Sequence, residues 1–187
     1  MKQIRDILDF WFLPTSHPDH GEDRKEWWQK NDDFDNEIKI NFLKTFEAAE
    51  NGELLHWCDT AEGSLALVIL LDQFPRNMFR DTPRAFASDG KAREIARHIQ
   101  KSGYFESYGA KHKCFAALPF EHSENLKDQH QSISLFEKIG DDNALDFAHR
   151  HLVIIEKFGR FPHRNDILGR KSSEAEIEFL QQPNSSF

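Results

Sequence analysis

The chain has 187 residues, 39% of them hydrophobic and 30% charged, with 17 Phe and 4 Trp, a composition that excludes a disordered chain and supplies aromatic bulk for a core. The formal net charge of -8 argues against generic nucleic-acid binding, which needs a basic footprint, and leaves room only for a local basic pocket. The length suits a single helical domain over residues 1–187, the organisation expected here.

The opening MKQIRDILDFWFLP holds neither a long apolar segment nor a small-residue cleavage site. Ile4, Ile7, Leu8 and Trp11 recur on one face of a first predicted helix, which Pro14 should stop. A polar loop from Thr15 to about Arg24 follows. Asp32 is placed to cap a long helix with Phe34, Ile38, Phe42 and Phe46 at every fourth position, closed by Asn51-Gly52. A short helical turn is expected over residues 53–58. Thr60 caps the next helix, whose stretch SLALVILLDQF is apolar all round until Asp72, so it should be buried on most sides and end at Pro75. Its longest apolar run, Leu65–Leu71, is too short to span a bilayer. A cytoplasmic protein with no membrane partner is the expectation.

Thr82-Pro83 reads as a cap and first helical position before Ala92, Ile95, Ala96 and Ile99. A further helix is predicted over residues 108–118, ending at Pro119. Another should start at or just after Pro119 and run to about Ile139. Asp142 should cap a helix with Ala144, Ala148, His151, Ile155 and Phe158 on one face and Gly159 at its end. Ser173 and Glu176 form a capping box for a last helix. No strand or hairpin signal appears, and the short loops predict antiparallel helix neighbours.

Three polar clusters interrupt this pattern. The stretch LDQFPRNMF brings Asp72, Gln73, Arg76 and Asn77, with Arg80 beyond; FGRFPHRND brings Arg160, His163, Arg164 and Asn165, with Arg170 beyond. Both run from an apolar segment into Phe-Pro, then arginine and asparagine. Proline frees backbone carbonyls, and guanidinium and amide groups can satisfy them as helix staples. The same arginines, with a histidine, can instead clamp a carboxylate or phosphate. The third cluster, Glu121-His122-Ser123-Glu124, is expected at a helix start, where Ser123 caps and acidic residues suit the dipole. There Glu121 and His122 also offer acid–base chemistry or half of a metal site. No HExxH or paired Glu-x-x-His pattern supports metal, so none is expected, nor any cofactor. Cys58 and Cys114 lack ligand spacing and read as buried reduced thiols. His151 lies on an apolar face, as a satisfied core residue or a half-buried titrating one.

The segments ILDFWF, LALVILLDQFPRNMFR, LPFEHSE and FGRFPHRNDILGR, followed by EIEFL, resemble the bacterial domain-of-unknown-function 924 family nearly end to end. The resemblance implies an all-α fold similar to tetratricopeptide-repeat superhelices, with antiparallel helix pairs stacked, and no established activity. The family's signature falls on Asp72, Gln73, Arg76, Asn77, Glu121, His122, Ser123, Glu124, Arg160, His163, Arg164 and Asn165. The leading functional expectation is a binding module. Asp72, Arg76, Asn77, Glu124, Arg160, His163, Arg164 and Asn165 would line a pocket for a small anionic molecule or the acidic end of a peptide. The alternative is an enzyme with Glu121 or His122 as general acid or base and Arg76 and Arg164 holding an anionic substrate. A third reading is a buried polar network that fixes helix-pair geometry. All three expect the clusters to converge, because burying any of these charges unpaired is costly.

Overall fold

The computed structural model describes residues 1–183, 185 and 186. The expected all-α class holds, and among the described residues there is no strand. No helix among them is long and apolar enough to cross a membrane. The chain forms two compact units, one of residues 1–80 and 84–119, the other of residues 81–83 and 120–187.

The first unit opens with α1 (Ile4–Phe12), a short α2 (Lys25–Trp28) and the long α3 (Asp32–Glu50). The cap of α3 is Asn31 rather than Asp32: its side chain accepts from the amides of Asp33 and Phe34, and Asp32 falls inside the first turn. Trp11 and Phe12 on α1 meet Trp27, Phe34, Phe74 and Phe115, with ring centroids 5.4–6.0 Å apart. This is the aromatic core foreseen in the composition. A 3-10 turn (Leu55–Asp59) leads to Thr60, whose hydroxyl accepts the Gly63 amide and starts α4 (Ala61–Val68). Gly63 is required there, since a Cβ would lie 2.1 Å from the Trp57 carbonyl oxygen.

Pro75 does not end this helix. A π-helical turn, Ile69–Gln73, absorbs the proline, and α5 (Phe74–Met78) continues. Pro75 has no N–H for the Leu71 carbonyl four residues back. The Ser88 hydroxyl donates to that carbonyl instead, at 2.6 Å. Thr82-Pro83 precedes a 3-10 turn (Pro83–Phe86) rather than opening a helix; α6 begins at Asp89 (Asp89–Lys101), and Ser88 before it makes no side-chain cap bond. A short α7 (Tyr104–Ser107) follows.

Pro119 is likewise inside a helix, α8 (Ala110–Glu121). The chain turns after Glu121, and the next helix starts only at α9 (Leu126–Ile139), capped by Asn125. Asp141, not Asp142, caps α10 (Asp142–Phe158) by accepting the Ala144 amide. Gly140 and Gly159 end α9 and α10 in the left-handed conformation, at φ 75° and 70°. The one-residue link between Gly140 and α10 makes α9 and α10 an antiparallel pair with extensive mutual packing. A 3-10 turn (Pro162–Arg164) leads to α11 (Glu174–Leu180), which carries the expected Ser173–Glu176 capping box. Ile154, Ile155 and Phe161 form the core around which Phe158 and Phe179 pack.

Candidate functional site

In the first unit the π turn holds Asp72 at 0% exposure. Its carboxylate accepts from Gln73 Nε2 at 2.5 Å and lies 3.3 Å from an Arg76 terminal nitrogen. The same Arg76 nitrogen donates to the Asp72 carbonyl at 2.7 Å, and Arg76 clasps Asp89 with bonds of 2.8 and 3.0 Å. Burial lowers the Arg76 pKa, but Asp72 and Asp89 outweigh it and leave the net shift upward. Asn77 donates to Asp35 at 2.7 Å, and Arg80 grips that carboxylate with Nε and a terminal nitrogen at 2.5 and 2.9 Å. Within this unit, the first Phe-Pro segment therefore ties α5 to α3 and α6. Arg76 also serves the Asp72 carbonyl, while the carbonyl that Pro75 frees, that of Leu71, is served by Ser88.

In the second unit the other two clusters do come together. Glu124 accepts the Phe161 amide at 2.8 Å and two bonds from Arg170 at 2.7 and 2.9 Å. Burial raises the Glu124 pKa, but the bonds from Arg170 and Phe161 and the charges of Arg170 and Arg164 hold it below the ordinary carboxylate value. Arg164, 6% exposed, donates to the His122 carbonyl at 3.0 Å, and its guanidinium lies over the Phe161 ring at 4.5 Å. The imidazoles of His151 and His163 each stand 5.5 Å from that same ring, His151 edge-on. Phe161 is thus a hub for one guanidinium and two imidazoles.

The Glu121-to-Glu124 segment is not a helix start. It is the exit from α8, possible because side chains supply its donors: Gln129 Nε2 reaches the carbonyls of Glu121 and Ser123 at 2.6 and 2.7 Å, and Arg164 takes that of His122. Ser123 does not cap α9 but donates to Asp128 at 2.8 Å. Glu121 lies close to His151: Oε1 is 3.3 Å from His151 Nδ1, with both residues 4% exposed. His151 Nδ1 also contacts the Phe147 carbonyl at 2.8 Å. Burial pushes the His151 pKa down, and the charges of His122, Arg164 and His163 add to this, while the Phe147 carbonyl opposes it. Burial is also the first cause for His163, lowered to about 4, with Arg164, Arg170 and His122 acting the same way and Glu124 against.

Arg160 lies at the edge of this unit. It grips Glu176 with bonds of 2.7 and 2.8 Å beside a groove of about 520 Å³ lined by Lys157, Phe158 and Ser173, and this holds the Glu176 carboxyl down to about 2. Asn165 is buried and donates to Ser172 at 3.0 Å. Among the described residues, no three His, Cys, Asp or Glu side chains gather closely enough to hold a metal ion. Cys58 is half-buried and Cys114 buried, and neither is in a disulfide.

A family described as bacterial protein of unknown function (DUF924) matches residues 7–184. The chain belongs to this family. It is also similar to a solved structure of a protein of unknown function from Agrobacterium tumefaciens, at 38% identity over 95% of this chain and 96% of that one, with a TM-score of 0.86. No curated protein matches the chain. The motifs that carried the resemblance to the DUF924 family thus lie in a chain of that family, and two of them meet around Phe161. Gln129 and Phe161 itself were not singled out from the sequence. An amide on an amphipathic helix carries no motif, and Phe161 read only as the residue before a proline.

Proposed function

We propose that this protein binds a small anionic molecule at the Phe161 hub, with Arg164 and His163 as its principal ligand groups and His122 beside them. The observation that supports this reading is the seating of the Arg164 guanidinium over the Phe161 ring, with two imidazoles against the same ring. Arg164 lowers the pKa of both imidazoles. Arg164 disfavours the charged form of both rings, and an anion bound beside them offsets that effect. The carboxylate end of a peptide presents the same chemistry. The reading invokes no cofactor, membrane or nucleic-acid partner, and the proposed setting is the cytoplasm.

The test is calorimetric titration with inorganic phosphate and with succinate. Saturable binding of at least one is expected, weakened about tenfold, or about 1.4 kcal/mol, by His163→Gln and by Arg164→Lys. Binding should strengthen as pH falls from 7 to 5, because a bound anion raises the His163 pKa and takes up a proton. Absence of saturable binding by both probes, or affinity unmoved by both substitutions, overturns the reading.

The enzyme alternative draws support from a different contact, that of Glu121 with His151.

A further inference from the structure

We infer that this protein associates with a second copy of itself through a two-fold contact on the first unit, in which each Leu55 closes an apolar cavity of the other copy while Lys91 and Glu94 pair across the axis. The cavity, of about 110 Å³, is walled by Ala49, Leu67, Leu71 and Ile95, all buried, and Leu55, Lys91 and Glu94 complete its lining. Those last three are exposed, Leu55 to 60%, so the cavity lies at the surface. An apolar cavity of about 150 Å³ stays dry and holds a benzene ring, and the present one has the size for a branched aliphatic side chain. Such a side chain gains dispersion contacts with the wall and leaves water.

The charges at the rim select the occupant. Lys91 and Glu94 lie one turn apart on α6, and neither is in an ion pair among the described residues; the Lys91 ammonium donates to the Glu50 carbonyl at the end of α3. A two-fold contact is self-complementary, so that if one residue meets another the reverse pair forms as well. With the axis passing between Lys91 and Glu94 and normal to α6, the α6 helices of the two copies run antiparallel. Lys91 of each copy then faces Glu94 of the other. The same rotation carries each Leu55 from the rim of its own cavity to the mouth of the other. A leucine, a cavity, a cation and an anion set side by side thus form a patch complementary to itself. The ion pairs stand at an exposed rim and fix orientation, while burial of the leucines supplies most of the affinity. A patch of this size gives weak association that depends on concentration.

The test is sedimentation velocity of the full chain from about 1 μM to about 1 mM, the range of weak association. A reversible monomer–dimer equilibrium is expected, weakened about tenfold or more by Leu55→Asp, which puts a charge where the apolar knob stood. Lys91→Glu and Glu94→Lys each set like charges face to face across the axis and should also weaken it about tenfold or more. Mixed together, these two reversed chains present carboxylates on one copy to ammonium groups on the other, so a heterodimer should form with the wild-type affinity. A monomer at every concentration overturns the inference and leaves the cavity to an apolar group of another protein. So does a dimer that Leu55→Asp or either reversal leaves unchanged, since it must use another face. Reversed chains that stay monomeric when mixed overturn the pairing across the axis, and the inference with it. The wild-type series and Leu55→Asp decide the matter even where a reversed chain fails to fold.

Discussion

At the scale of single residues, Gln129 shows how a polar side chain makes a turn possible. It is fully buried, and its amide nitrogen serves the carbonyls of Glu121 and Ser123. Gln129→Leu keeps the volume and removes the donor, leaving both carbonyls in a dry environment without it. The expected loss is about 2–6 kcal/mol, from about 1–3 kcal/mol for each buried acceptor left unsatisfied, measured as a lower urea midpoint. Gln131→Leu, at an exposed position on the same helix, is the control and should stay within about 0.5 kcal/mol. A near-zero effect at Gln129 would mean that the turn finds donors elsewhere. The contrast also explains what the sequence made legible. Glu124, Arg164 and Asn165 stand in a charged motif beside a proline, where unusual composition draws notice. Gln129 stands between ordinary helix formers, and only the three-dimensional turn gives it a task.

At the scale of elements, the apolar periodicity placed nearly every long helix, because burial of one face is local information. The helix ends were less legible, and both interior prolines were misread as stops. A proline removes one donor and crowds one carbonyl. Whether that ends a helix depends on who else can serve the carbonyl, and this is settled by distant residues. For Pro75 the answer is Ser88, thirteen positions on, together with a π turn that shifts the ladder by one residue. Ser88→Ala should therefore cost about 1–3 kcal/mol by orphaning the Leu71 carbonyl. Pro75→Ala restores an N–H that can reach the same carbonyl. The two changes should then be less than additive, with a coupling of about 1 kcal/mol in a double-mutant cycle. Strict additivity would show that the hydroxyl and the proline are unrelated, and that the π turn has another cause.

At the scale of the whole molecule, the clearest consequence is the response to acid. His151 and His163 are both depressed by burial and by neighbouring cations, the second to about 4, against an ordinary value near 6.5. Between those values the unfolded chain binds more protons than the folded one, so stability rises with pH there. The stability conferred by keeping these rings neutral is complete above about pH 6.5 and is lost as pH falls toward 4. The carboxylates act in the same direction at lower pH. Glu124 and Glu176 are held below their ordinary range by Arg170 and Arg160, so their contribution is present above about pH 4.5 and declines below it. Since every one of these shifts has the same sign, none offsets another. Urea midpoints measured at half-unit steps should hold nearly level above about pH 7 and fall through the interval from about 6.5 to 4, before most carboxylates titrate. His163→Gln should flatten that interval, because it removes one of the two titrating rings while leaving Arg170 on Glu124. Each unit of depression removed is worth about 1.4 kcal/mol of pH-dependent stability. A wild-type profile level down to pH 4.5, or a His163→Gln profile as steep as wild type, would show that His163 is not held neutral in the folded chain, and would remove the influence of Arg164 on His163 from which the anion reading is argued.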